Sequence, residues 1–227
     1  VWAWGEKRPC YRASLPEKLT AMAFSHDASL CFGGAASGTI YAWAAGTGSL
    51  LRCWPAHFRE VTQLLLSADG SFLVSASADA AVHVYNLADL FAEAGAPKPF
   101  HSWSGHALSV TSLALLPGSS GLQQAVCSAS LDRTVRIWDV GTGQPLVSRS
   151  MPAPVLGLCA GSGSTELLCA LGNGELRGLS TASASGGDGG VYLGHTGSVL
   201  SCAISADGSR AASCSDADRV RVWETRT

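Results

Sequence analysis

The stretch Leu131–Gly143, LDRTVRIWDVGTG, brings Asp132, Trp138 and Asp139 together, with Ser128 four residues before Asp132 and His106 upstream in SGHALSV. Ser, His and Asp are the parts of a nucleophilic hydrolase. The hydroxyl attacks, the imidazole takes its proton, and the carboxylate orients the imidazole. That chemistry requires the groups to converge on an open pocket beside an oxyanion site. The same residue types also satisfy a buried indole, whose N–H needs an acceptor once it leaves water. In that role they would consume one another: Asp132 would accept from His106 and from turn amides, and Ser128 would link His106 to Trp138. A structural device can recur and decay along a chain, whereas an active site tolerates neither.

The set recurs. His57, Ser75 and Asp79 repeat the order with Tyr85 in the Trp slot; His195, Ser213 and Trp223 repeat it with Ala217 in the Asp slot, flanked by Asp216 and Asp218. Aligned on Trp138, the slot is filled by Trp4, Trp43, Tyr85, Leu179 and Trp223, at intervals of 39, 42, 53, 41 and 44 residues. The Asp slot holds Ser37 in one further unit and Asn173 in another, so only the unit around Trp138 is complete. The structural reading therefore outweighs the catalytic one. No catalytic, cofactor-binding or metal residue is assigned.

Each unit has the same order of elements. An alternating apolar strand comes first: LTAMAFS, VTQLLLS, VTSLALL, VLGLCAG, VLSCAIS. A polar turn, a strand of small residues, a tight turn, the Trp-bearing strand and a final strand follow. Period-two alternation bounded by Gly, Asp, Asn and Ser is a strand and hairpin pattern, and Asn173–Gly174 suits a two-residue hairpin turn. One helix is expected, from Leu87 to Ala94, with Asn86 capping its start and Gly95 its end; it lies in the long interval. Four short antiparallel strands every forty-odd residues form a β-propeller blade, which must stack on its neighbours to bury its faces.

Gly105-His106, Ser128, Asp132 and Trp138-Asp139, with Gly194-His195 and Trp223, resemble the pattern of a WD-repeat (WD40) β-propeller. The expected fold is all-β, a single propeller domain over residues 1–227. Its units are approximately 1–15 (partial), 16–56, 57–105, 106–152, 153–194 and 195–227 (partial). Two, sixteen and three strands cannot close a ring, because the third strand would be duplicated. The expectation is an open fragment of about five blades from a propeller of seven.

Composition narrows the function. Apolar residues make up 47% and charged residues 14%, which supports a sizeable core. A net charge of -2 excludes nucleic-acid binding by bulk electrostatics and leaves local contact open. The eight Cys are scattered without CxxC spacing, which favours free thiols. The six His show no zinc spacing. No apolar run approaches the roughly 18–20 residues that cross a bilayer, and the chain starts at Val1 without a targeting segment. Turn aspartates account for Asp216 and Asp218, and hairpin turns for AGTG, VGTGQ and GSGS. Ser183–Gly190 reads as a flexible loop, and His83 and His101 as ordinary strand positions.

Two stretches depart from the generic repeat: AHFREVTQL, from Ala56, and Tyr85 to Leu113, which places an insertion of about eleven residues between third and fourth strands and is followed by SLDRTVRIWDVGTG. This order resembles the WD-repeat subunit of the nuclear complex that processes pre-rRNA and matures the precursor of the large ribosomal subunit. That resemblance implies a non-enzymatic scaffold in the nucleus. It would act in spacer removal and particle remodelling, partnered with an armadillo-like scaffold subunit, a midasin-type ATPase and the pre-ribosomal particle. It also implies a C-terminal helical segment for self-association, and no membrane. The competing reading is a WD40 adaptor of another complex, such as a ubiquitin-ligase substrate receptor. Leu87, Leu90 and Phe91 on the inserted helix are expected to contact a partner, unless they pack on their own blade.

Overall fold

A computed structural model describes residues 5, 8, 15–92, 95–116, 124–161, 166–180, 188–217 and 219–225. The expected leading strands around Trp4 and Cys10, the last two residues of the expected helix, most of the Ser183–Gly190 loop and Asp218 lie outside them. The chain divides into two compact units, Val1–Ser102 and Trp103–Thr227.

In the first unit, β1 (Leu19–Phe24), β2 (Leu30–Ala35), β3 (Thr39–Ala44) and β4 (Leu50–Pro55) form one four-stranded sheet in chain order. A second sheet contains β5 (Val61–Leu66), β6 (Phe72–Ser77), β7 (Val82–Asn86) and β8 (His101–Trp103), with helix α1 (Leu87–Ala92) inserted between its last two strands. The last residue of β8, Trp103, opens the second unit. There β9 (Val110–Leu116), β10 (Ala125–Ser130), β11 (Thr134–Asp139) and β12 (Pro145–Ser150) form a third sheet. A fourth contains β13 (Val155–Ala160), β14 (Glu166–Leu171), β15 (Leu176–Ser180) and β16 (Asp188–Tyr192). The fifth has three described strands, β17 (Val199–Ile204), β18 (Arg210–Ser215) and β19 (Arg221–Glu224). These are the sixteen and three strands expected from the repeat, and each first strand begins where the apolar alternation begins.

Burial follows strand position. The second strand is more open in β18, but in the first four sheets it is largely buried on both faces, most completely in β6, FLVSAS. This explains its small residues and the loss of simple alternation. The fourth strand is the outer edge and is largely exposed, as in β12, PLVSRS. The core lies in the seams between neighbouring sheets. Phe32, Ile40, Trp54, Val61, Leu73 and Tyr85 fill the seam of the first unit. In the second, Val135, Met151, Leu158, Leu167 and Leu179 fill one seam, and Leu168, Leu176, Val199 and Ala211 the other.

Polar groups also cross these seams. The Thr20 hydroxyl donates to Val61 O at 2.6 Å and to Gly34 O of its own sheet at 3.1 Å. Thr111 repeats this in the second unit, donating to Val155 O at 2.6 Å and Ala129 O at 3.1 Å. The turn between second and third strands meets the following sheet. Gly38, at φ 89°, accepts from Ala56 N at 3.1 Å and His57 N at 3.0 Å. A Cβ on Gly38 would lie 2.2 Å from His57 O. The same turn position carries positive φ at Ala80, Arg133 and Gly174.

Replacement of Gly38 by Ala should therefore cost about 2–4 kcal/mol, from the left-handed backbone and the backbone clash. Gly46→Ala, where nothing lies within 4 Å, should change stability by less than about 1 kcal/mol. Urea unfolding of the two variants checks the contrast, and equal losses would contradict it.

Candidate functional site

The turn between β10 and β11 carries Asp132, β10 carries Ser128, β11 carries Trp138, and His106 precedes β9. His106 Nδ1 lies 3.1 Å from Asp132 Oδ2, and its Nε2 lies 2.8 Å from Ser128 Oγ. The Trp138 indole donates to Ser128 Oγ at 2.9 Å. Asp132 also accepts from Ala107 N at 2.9 Å, Thr134 N at 2.8 Å and the Thr134 hydroxyl at 2.6 Å. Burial pushes the Asp132 carboxyl up, but the Thr134 hydroxyl, the Ala107 amide and His106 outweigh it and hold it at about 2. An ionised Asp132 accepts a hydrogen bond from Nδ1–H, which leaves Nε2 to accept from Ser128. Burial holds the His106 imidazole below its ordinary value, against the pull of Asp132.

These contacts have the connectivity of a hydrolase triad without its access. Ser128 has 0% of its surface exposed, and its oxygen already holds the indole N–H. Downstream, Asp139 turns the chain toward β12, accepting from Gly141 N at 3.0 Å and the Thr142 hydroxyl at 2.7 Å.

The second sheet repeats the set. His57 lies 3.1 Å from Asp79 and 2.8 Å from Ser75, and Asp79 accepts from Phe58 N at 3.0 Å. Tyr85 does not take the indole's place on the serine; its hydroxyl lies 3.4 Å from His83 Nδ1. His83, which sequence places as an ordinary strand residue, stacks on His57 with centroids 4.3 Å apart. Burial, then the neighbouring His83, brings His57 down to about 4. In the fifth sheet Ser213 again joins His195 at 2.7 Å and the Trp223 indole at 2.8 Å. The first sheet has Gly33 at the serine position, where a Cβ would lie 2.9 Å from the Trp43 ring. The fourth has Cys169 there, paired in register with Arg177.

Sequence reasoning missed three contributors. Thr134 braces Asp132, a role hidden in an ordinary strand-start residue. A fourth-strand aromatic meets the third-strand slot residue of the next sheet: Trp54 edge-on to Tyr85 at 5.6 Å, Trp103 stacked on Trp138 at 5.0 Å, and Tyr192 tilted on Trp223 at 5.7 Å. The recurring aromatic before each His signals this pairing. Arg52 of β4 donates to the carbonyls of Leu90 and Gly95 at the end of α1, where a cation suits the helix C-terminus.

The insertion itself needs a correction. Asn86 caps α1 as expected, accepting from Ala88 N at 3.0 Å. Leu87, Leu90 and Phe91 do not share an exposed face, however. Leu90 is 1% exposed within the first unit's core, Leu87 packs against the same cluster, and only Phe91, 41% exposed, faces water. A six-residue helix lying on a sheet has to bury its apolar stripe there. Beside it, Tyr85, Asn86, Asp89, Leu90, Pro97, Lys98 and Phe100 line a cleft of about 280 Å³. Phe100 is 60% exposed.

Among the described residues, the seven cysteines are free thiols, no His, Cys, Asp and Glu cluster is arranged to hold a metal, and no helix is long and apolar enough to cross a membrane.

Antiparallel meanders of up to four strands, three of them tied by a His and Ser pair with Asp or Trp added in whole or part, are the mark of WD-repeat propeller blades. The WD40 model, "WD domain, G-beta repeat", matches residues 48–86, 97–139 and 188–224, and the chain belongs to that family. It is 29% identical to Protein ROOT INITIATION DEFECTIVE 3 of Arabidopsis thaliana, over 100% of this chain and 53% of the relative. To Pre-rRNA-processing protein IPI3 of Mycosarcoma maydis it is 32% identical, over 68% of this chain and 28% of the relative. The chain thus spans about half of the first relative and less of the second. Among solved structures, the RRP9 WD40 repeats superpose with a TM-score of 0.80 at 21% identity, over 95% of this chain and 62% of that one, which shows the fold.

Trp138→Ala should cost about 3–5 kcal/mol, because a buried ring is lost from a stack. Ser128→Ala should cost about 1–3 kcal/mol, from two stranded polar atoms. Chemical denaturation orders the two, and the reverse order would contradict the packing account.

His57 gives a pH dependence. Its folded value, about 4, lies below the unfolded value of about 6.5. The unfolded chain therefore binds the proton more readily, and this stability is present above about pH 6.5 and lost as pH falls toward 4. The loss is about 3 kcal/mol. Denaturation midpoints across this window should fall with pH, and the slope should flatten in His57→Gln.

Proposed function

We propose that the chain is a non-enzymatic, protein-binding scaffold of ribosome biogenesis, serving pre-rRNA processing and maturation of the large-subunit precursor in the nucleus. The observation that carries this reading is the similarity to a pre-rRNA-processing protein over two thirds of the chain. Its partners are the protein subunits of a pre-ribosomal complex, among them an armadillo-like scaffold subunit and a midasin-type ATPase. Support for the scaffold role comes from the catalytic-looking sets, His106, Ser128 and Asp132 and His57, Ser75 and Asp79, whose serines are fully buried and whose members bond one another. Phe91 and Phe100 stand exposed beside the insertion cleft, and loops that project from a rigid frame are where interaction surfaces are built.

Affinity purification of the intact protein tests the reading. Pre-rRNA-processing factors should be recovered, and recovery should fall severalfold in the Phe91→Ser, Phe100→Ser double variant. That variant alters exposed side chains only and should melt like the wild type. Recovery of cullin-type partners in place of ribosome-assembly factors would overturn the assignment. Full recovery with the double variant would remove the insertion from the contact surface.

A further inference from the structure

Comparison of the seams singles out one where the aromatic device is missing. The fourth-strand residue that enters a seam is fixed by register: Trp54 pairs with Ile40 and Tyr192 with Leu176. Ile40, Val135 and Leu176 each stand three residues before the Trp slot of their sheet. The partner of Val135 is Arg149, so β12 presents a guanidinium where β4 and β16 present rings. Opposite it, the slot residue of the fourth sheet is Leu179. Ring against ring becomes arginine against leucine.

The other polar positions of this seam have changed too. Met151 N donates to Arg133 O at 2.7 Å, as Ala56 N does to Gly38 O. The residue after Met151 is Pro152, where His57 follows Ala56. Cys169 replaces the serine. On β15, Arg177 has the position of Arg136, whose guanidinium lies 6.0 Å from the Trp138 ring. No ring stands at Leu179 to receive Arg177.

The two cations are left incompletely satisfied. Arg177 Nη2 pairs with Glu175 at 3.2 Å, but its Nε is buried with no hydrogen-bond partner. Arg149 Nη2 is likewise buried without a partner, and no ion pair to Arg149 exists among the described residues. Buried donors without acceptors are rare; Arg136 Nε shares this state, but there the guanidinium lies beside the Trp138 ring.

We propose that the seam between the third and fourth sheets is a seat for a carboxylate of an acidic protein segment, held by Arg149 and Arg177. Glu175 neutralises one of the two cations, which leaves a single positive charge to be matched. A guanidinium presents a planar fork to a carboxylate. Val135, Met151 and Leu179 line the same seam. A polynucleotide is disfavoured, because a single unmatched positive charge cannot serve a run of successive phosphates. The seat does not depend on which complex the chain serves.

Fluorescence anisotropy of the intact protein with a fluorescein-labelled hexaglutamate peptide at low salt tests this. Saturable binding is expected, weakened by about tenfold or more in Arg149→Met, severalfold in Arg177→Met, and unchanged in the exposed control Arg219→Ser. Arg149→Lys should also weaken it severalfold, because the charge stays and the fork is lost. The melting temperature of Arg149→Met should hold or rise, since an unpaired cation leaves the seam. Equal binding by wild type and Arg149→Met would overturn the seat. So would a marked fall in melting temperature in both Arg149 variants, which would make the residue structural, or stronger competition by an oligouridylate of matched length.

Discussion

A four-stranded sheet that is apolar on both faces cannot stand alone in water. Every other feature of this chain follows from the need to cover those faces with the next sheet. Trp54, Ile40, Tyr85 and Val61 meet in one seam, and Val135, Met151, Leu167 and Leu179 in another. Close approach then brings strand carbonyls out of water, and the seams must supply donors as well as apolar surface. Thr20 and Thr111 do this with a single hydroxyl each, bridging their own sheet and the next. Gly38 does it with its backbone carbonyl, which accepts from the amides of Ala56 and His57, and the lack of a Cβ lets this turn come close to His57 O and Arg59 O.

The His, Ser, Asp and Trp device is best understood as a second answer to the same constraint. A broad indole covers much of a seam, but its N–H has to be buried with it. A serine on the central strand accepts that proton, a histidine accepts the serine's, and an aspartate holds the histidine's tautomer. The device tolerates loss of its polar members. With Gly33 in the serine position, Trp43 lies over the glycine and stacks on Tyr41 at 5.7 Å, whose hydroxyl donates to Glu17 at 2.7 Å. That bond pushes Tyr41 up to about 12 and lowers Glu17. With Leu179 in the Trp slot there is no indole N–H to satisfy, and the histidine and serine go with it.

The repeat was legible in the sequence because period-two alternation and turn residues are local signals. The first strands and the cap at Asn86 follow from them directly. So does the membership of His106, Ser128 and Asp132 in one cluster, since the repeating order ties them together. What the sequence hid is what passes between sheets. Nothing local says that Trp103 stacks on Trp138, that His83 lies on His57, or that Arg52 holds the end of a helix almost forty residues away. Leu90 shows the limit most clearly. Helical spacing places it beside Leu87 and Phe91, but the sheet beneath the helix decides which of the three is buried.

Departures from the repeat therefore carry more functional information than its best copy. The complete set around Trp138 is consumed by the fold: each polar atom has an internal partner, and nothing is left to address another molecule. Capacity for recognition survives where the repeat is interrupted or eroded. At the insertion, Arg52 and Asn86 secure α1 from both ends, so Phe91 and Phe100 stand on a braced platform rather than a loose loop. At the seam between the third and fourth sheets, substitution of rings by Arg149 and Leu179 exchanges a contact between rings for one with guanidinium donors to spare. A propeller of this kind keeps its blades by repetition, and both proposed contact sites lie where that repetition fails locally.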